Sequence, residues 1–258
     1  MTSNDTYFSQ QMAAERKKAR HRHILIFPAG VLLLLFLWSL WSNKTSTSAQ
    51  LAQGYTSLLY QLPMMNTILM PVMLAVIASR LCDMEIKGST LKLLFTIQSR
   101  LSFYNCKLLH TIKYLLCFTV GEVLLVLACG QIFHFTEPLR PGLLLVHSIT
   151  TLLVGIVVLI VQQTLSLLSD NQLLPLIVGL GGSFLGLFSM YFPRTISRFV
   201  LWGYFGMFTP LGMDWDSRTR VITYYDIPFP TADFLIFLSG GIVIYLLSMM
   251  LFLKKEVS

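Results

Sequence analysis

"EIKGSTLKLLFTIQSR" (residues 85–100) decides how this chain is read. It carries Glu85, Lys87, Lys92 and Arg100 together with Leu91, Leu93, Leu94, Phe95 and Ile97, and it lies between two long apolar runs. A connection between two membrane spans needs only a few residues, so a short, charged and partly apolar helix here requires a purpose. Gly88 and Ser89 can end one helix and cap the next. From Leu91 to Ile97, Lys92 and Thr96 fall on one face and the leucines and Phe95 on the rest. Such a helix has to bury its apolar side, and both the lipid interface and a groove on a cytoplasmic partner suit it.

Composition places the segment in a membrane protein. Of 258 residues, 55% are hydrophobic and 12% charged, about half the charged share of a soluble domain. The net charge of +7 therefore points to basic residues held at one membrane face rather than to nucleic acid. Cys82, Cys106, Cys117 and Cys129 lack zinc or redox spacing and read as buried or reduced thiols. His110, His134 and His147 share no metal-like spacing, so no metal is expected.

The chain reads as an all-α polytopic membrane protein. Residues 1–23 form a polar N-terminal amphipathic segment, and residues 24–258 form the transmembrane domain. The uncharged run 24–41 covers roughly 27 Å as a helix, close to the hydrocarbon thickness. Its terminal tryptophans argue against a cleaved signal peptide. Further spans are expected at about 58–79, 114–133, 143–168, 173–192 and 233–253, six in all. Residues 80–113 form a charged connection, and an external stretch at 193–232 includes the apolar run 199–213, broken by Pro210 and glycines, which reads as lying in the interface or dipping partway in as a re-entrant segment. Thirteen of the nineteen basic residues fall on the N-terminal tail, the 80–113 segment and the C-terminal tail. The excess places both termini in the cytoplasm. The opposite side holds Lys44, Arg140, Arg194, Arg198, Arg218 and Arg220.

With that topology, Arg80-Leu81 followed by Glu85, then Gly88, Thr90, Leu93, Leu94 and Gln98-Ser99-Arg100, and then Lys107 entering the next span, resembles the coupling region of ABC-2 type exporter permeases. "AERKKARHRHIL" (14–25), with Glu15 at a commonly acidic position, resembles the amphipathic helix that precedes the first span in that family. Gln98 stands where many members carry proline. Size and layout most resemble the lantibiotic-immunity permeases. The resemblance implies that Glu85, Gly88, Thr90, Leu94, Phe95 and Arg100 dock on a dimer of a separate ABC ATPase, which binds ATP and Mg. It further implies a second permease half, identical or related, in a bacterial plasma membrane, and a peptide substrate.

The chain has no Gly-Lys-Ser/Thr phosphate loop and reads as a transport subunit rather than an enzyme, with no cofactor of its own. "GLGGSFLG" (179–186) suits close helix packing through Gly182 and Gly186. Glu122, inside the third span, suits a hydrogen bond to another helix, gating or substrate contact, or a proton site. His147, Gln162 and Gln163 suit helix packing. Outside, Trp215, Asp214 and Asp216 lie in an aromatic stretch that could meet a cationic peptide. Export of a drug or glycolipid, or a non-transporting scaffold or sensor, fits the same layout.

Overall fold

A computed structural model describes residues 3–20, 22–44, 48–88, 90–218 and 222–255. Ser89 and Arg220, which the sequence reading used, lie outside the described residues, and Lys92 is described only as part of its helix. The elements are α1 (Ser3–Ala19), α2 (Ile26–Asn43), α3 (Ser48–Leu51), α4 (Gly54–Lys87), α5 (Leu91–Ile97), α6 (Arg100–Ile132), α7 (Pro141–Leu168) and α8 (Leu173–Ser189). Two short helices follow, α9 (Arg194–Ser197) and α10 (Tyr204–Met207), with a 3-10 turn at Leu201–Gly203 between them. A hairpin of β1 (Leu211–Trp215) and β2 (Ile222–Asp226) then leads to α11 (Thr231–Lys254).

Five of these helices, α2, α4, α6, α7 and α11, are long and apolar enough to cross a membrane. The expected fifth span is the shorter apolar α8, whose 17 residues reach about 26 Å, somewhat less than a bilayer core. Helix α4 is the centre of the bundle. It packs on α6, α7 and α8, and 67% of its most apolar window is buried, against 17% for α2 and α11. Those outer helices turn Leu33, Leu34 and Leu37, and Leu235, Ile242 and Leu246, outward, as lipid-facing helices must.

Pro63 and Pro71 do not break α4. The Thr67 hydroxyl donates to the Pro63 carbonyl (2.9 Å), and Ser183 of α8 donates to the Ile68 carbonyl (2.6 Å). Neither is a carbonyl that the prolines deprive of a backbone donor, which are those of Leu59 and Thr67; both hydroxyls instead add hydrogen bonds to this stretch of α4. At 34 residues, α4 reaches about 51 Å and runs well past one membrane face. The sequence reading ended the second span near residue 79 and began the third near 114. In the structure both helices continue, to Lys87 and back to Arg100, so only residues 88–99 connect them.

Two further expectations change. Among its described side chains, helix α1 has no apolar stripe. The face it turns to the bundle carries Gln11, Glu15 and Lys18 beside Met12 and Ala19. The run 199–213 folds into the 3-10 turn, α10 and the first residues of β1, whose Leu211–Trp215 pairs antiparallel with β2, Met213 opposite Tyr224. The hairpin is a β element in a fold read as all-α.

The glycines of α8 pack within the chain. A Cβ on Gly182 would sit 2.3 Å from the Trp202 ring, and one on Gly186 would sit 2.8 Å from Thr67 and 3.0 Å from the Trp202 backbone. A Cβ on Gly181 would meet nothing within 4 Å. Thermal unfolding in detergent should therefore show Gly186→Leu destabilised by about 1–3 kcal/mol through overpacking, with Gly181→Leu close to wild type. Equal effects would contradict this packing.

Candidate functional site

The connection 88–99 is held by charge. Lys107, about two turns into α6, is buried. Its Nζ donates to Glu85 Oε2 at 3.0 Å, Glu15 Oε2 at 3.1 Å and the Leu81 carbonyl at 3.0 Å. Lys18 donates to the other oxygen of each carboxylate, at 2.8 Å to Glu15 and 3.1 Å to Glu85. Two carboxylates and two ammonium groups close a neutral quartet that joins α1, the end of α4 and the start of α6. All three donor protons of Lys107 are used, which makes burial of an ammonium tolerable. Burial alone would push the Glu15 carboxyl up, but the Lys107 and Lys18 ammoniums outweigh it and hold the group below its ordinary value.

A second latch closes the other side. Ser99 caps α6 by accepting from Ser102 N at 3.2 Å. Arg100 then donates through Nη1 to the Leu253 and Lys255 carbonyls, both at 2.8 Å, at the C-terminal end of α11. Its guanidinium lies 4.9 Å from the centre of the Phe95 ring. Phe95 packs edge-on to Phe103 and Phe252. The α5 backbone begins from Thr90, whose N–H donates to the Glu85 carbonyl at 3.1 Å. A Cβ on Gly88 would sit 2.9 Å from the Met84 carbonyl, so the tight exit from α4 needs glycine.

Glu85, Gly88, Thr90, Phe95 and Arg100 are therefore brought together, but as the braces of α5. Leu94 is half-buried and lines a groove with Gln10, Gln11 and Ala14 of α1. Among the described side chains of α5, the surface left for another molecule is Leu93 and Ile97, 63% and 62% exposed, with Thr96 beside them. Phe95 faces inward, so it is not part of an outward apolar face as the sequence pattern suggested. Sequence reasoning missed Lys107 and Lys18 as partners. The signal was present in the basic residue that opens the next apolar run, but a lysine there reads as an ordinary interfacial charge.

The other candidates lie apart. Glu122 is fully buried among α4, α6 and α7. It accepts from Asn66 Nδ2 at 2.8 Å, and its Oε2 is 3.5 Å from His147 Nε2. It does not meet Asp214, Trp215 or Asp216, which are exposed on the hairpin. Gln163 donates to the Tyr104 carbonyl at 3.1 Å, a contact between α7 and α6. The remaining acidic groups at the far end of the bundle are occupied. Asp226 takes a two-pronged pair from Arg140 at 2.9 and 2.7 Å, which holds its carboxyl below the usual range. Asp233 accepts from Arg198 at 2.6 Å, and Glu137 accepts from the Thr56 backbone at 2.9 Å.

The brace spans the region where the chain matches a known family. Residues 12–186, from α1 into α8, match the model of the ABC-2 family transporter proteins. The chain belongs to the ABC-2 transporter family. A comparison with curated proteins found no match. As an ABC-2 permease the chain is a multi-pass membrane subunit of an ABC exporter, and the family implies partnership with an ABC ATPase.

Two outcomes follow for the quartet. Lys107→Met leaves Glu85 and Glu15 buried with only Lys18 between them, and should cost about 3–5 kcal/mol in thermal unfolding. Adding Glu85→Gln to that variant should recover part of the loss. Glu15 has a depressed folded pKa, so its contribution is present above the ordinary carboxylate value and disappears as pH falls through the lower folded one. Hydrogen exchange of residues 9–19 should stay protected at pH 4.5 and open only in more acid solution. Opening by pH 5–6 would contradict the pairing.

Proposed function

We propose that this permease pairs with a second permease half, identical or related, and docks α5 on an ABC ATPase dimer that supplies ATP and Mg chemistry. The end of the bundle holding both termini lies in the cytoplasm of a bacterial cell, and the hairpin faces outside. The observation that carries this reading is the double bracing of α5. Seven residues cannot form a stable helix alone, yet α5 is tied through Glu85 to α1 and α6 and through Arg100 to α11. A force applied to Leu93 and Ile97 is thereby delivered to four helices. An element that only rested on lipid would not need such bracing.

The cargo, on this reading, is a lantibiotic-like antimicrobial peptide taken from the membrane and released outside. Support comes from the resemblance in size and layout and from the aromatic far end of the bundle, where Trp215 and Tyr225 are exposed. Paired carboxylates give less attraction for a cationic peptide than the sequence suggested, since Asp226 and Asp233 already hold arginines.

Leu93→Asp and Ile97→Asp should each weaken ATPase association at least about tenfold, because each places a charge on an apolar contact. Pull-down and ATP hydrolysis in proteoliposomes read this directly. Phe95→Asp should instead loosen the permease itself. Normal association and coupling in the Leu93 and Ile97 variants would refute docking through α5. A strain lacking the gene, tested against lantibiotics, bacitracin and unrelated drugs, should become sensitive to lantibiotics alone. Unchanged sensitivity to every peptide, with the ATPase present, would refute the cargo.

A further inference from the structure

A cavity of roughly 690 Å³ opens between α6 and the turn that joins α1 to α2. His23 makes that turn with a left-handed backbone, φ 49°, a conformation uncommon for a residue with a side chain. Part of the wall is basic: Arg16, Lys17 and Arg20 from the end of α1, His23 from the turn and Lys113 from α6. The rest is mainly apolar, with Ile24, Leu25 and Ile26 at the start of α2 and Tyr114 of α6. Among the described residues, no carboxylate lines it. Leu25 and Ile26 are 57% and 64% exposed, at the point where the α2 span begins. The apolar part therefore opens sideways to lipid, and the basic part lies at the membrane surface.

The positive groups have no acid to balance them. Among the described residues, Arg16, Lys17, Arg20 and Lys113 enter no ion pair. Glu15 precedes Arg16 in sequence, but its two oxygens are held by Lys18 and Lys107, so the neutral quartet leaves the cavity positive. Lys113 is half-buried, which makes an unpaired charge there more costly. A further group lacks a partner. His110, three positions before Lys113 on α6, is 1% exposed and forms part of the same wall. Neither of its ring nitrogens makes a hydrogen bond among the described residues, although a neutral imidazole has one N–H to donate and one lone pair to fill. Buried polar groups are nearly always bonded. This wall is short of an acceptor as well as an anion.

We propose that the cavity binds the phosphodiester headgroup of an anionic phospholipid, whose acyl chains lie along Leu25, Ile26 and Tyr114. Four basic side chains around a space free of described carboxylates select an anion. A zwitterionic headgroup brings its own ammonium, which the same four groups repel. The apolar wall selects a lipid over a soluble anion, because free phosphate would leave Leu25, Ile26 and Tyr114 uncovered. An acidic peptide reaching that wall would carry backbone N–H and C=O groups into hydrocarbon without partners. A headgroup oxygen also supplies the acceptor that His110 lacks. Lipid bound here would tie to the membrane the same helix, α1, whose Glu15 helps to brace α5. The inference needs only that this end of the bundle meets a membrane surface, and it is independent of ATPase docking and of the cargo.

The test uses the full-length permease in nanodiscs of equal parts phosphatidylglycerol and phosphatidylcholine. Native mass spectrometry after release into detergent reads which lipid stays bound. The unaltered chain should retain phosphatidylglycerol over phosphatidylcholine by about tenfold or more. Arg16→Gln combined with Lys113→Gln should cut that preference by about tenfold or more. Lys87→Gln combined with Lys254→Gln removes the same charge from exposed positions at this end of the bundle but outside the cavity, and should change it by less than about twofold. p-Benzoylphenylalanine in place of Tyr114 should crosslink to phosphatidylglycerol, and this arm answers even where the double variant misfolds, since every basic residue stays in place. Excess inorganic phosphate should not release the lipid. Equal retention of the two lipids, an equal loss in the Lys87 and Lys254 variant, or no crosslink at position 114 overturns the proposal. Release of the lipid by phosphate also overturns it and assigns the cavity to a soluble anion.

Discussion

The Lys107 ammonium, buried where three helices meet, is the constraint on which this end of the molecule depends. An ammonium out of water is costly unless every proton is placed, and here two carboxylates and a carbonyl take them all. That requirement fixes the distance from α1 to α4 and from α4 to α6, and so fixes where the chain between residues 88 and 99 can run. The choice of Glu15 and Glu85 is equally constrained, since each needs Lys18 for its second oxygen. The quartet has no net charge, which lets it sit beneath a helix as short as α5. Replacing any one member leaves an unbalanced charge in a site with little water.

The two ends of the bundle are built on different physics. At the end with the termini, ion pairs and the Phe95–Phe103–Phe252 cluster make a stiff assembly. At the far end, the ion pairs of Arg140 and Arg198 are more exposed and contribute less, while the hairpin is fastened mainly by neutral amides and hydroxyls. A transport subunit has use for both: a rigid input where force enters, and an adaptable surface where a molecule is held. Between them, Asn66, Glu122 and His147 tie α4, α6 and α7 at the centre of the bundle.

Much of this was legible in the sequence because hydropathy reports on lipid directly. The apolar runs located α2, α6, α7 and α11 within a few residues at the ends facing lipid. Their other ends were misjudged wherever a helix left the membrane, since Arg80 and Lys87 or Arg100 and Lys107 look like loop charges until their helical continuation is seen. Glu85 and Arg100 were singled out as parts of one region, yet their roles as internal braces depend on Lys107, Lys18 and the carbonyls of α11, contacts up to 155 positions apart. The hairpin was missed because Pro210 and the glycines obscured its alternation.

The central claim is that α1, α5 and the adjoining ends of α4 and α6 move as one body. Double electron–electron resonance between labels at Arg16→Cys and Thr96→Cys, with the native cysteines replaced, measures this in the assembled transporter. The distance should be the same without nucleotide and in the vanadate-trapped state, and it should broaden when Lys107→Met is added. A nucleotide-dependent change of several ångströms in the otherwise unaltered transporter would contradict a rigid brace.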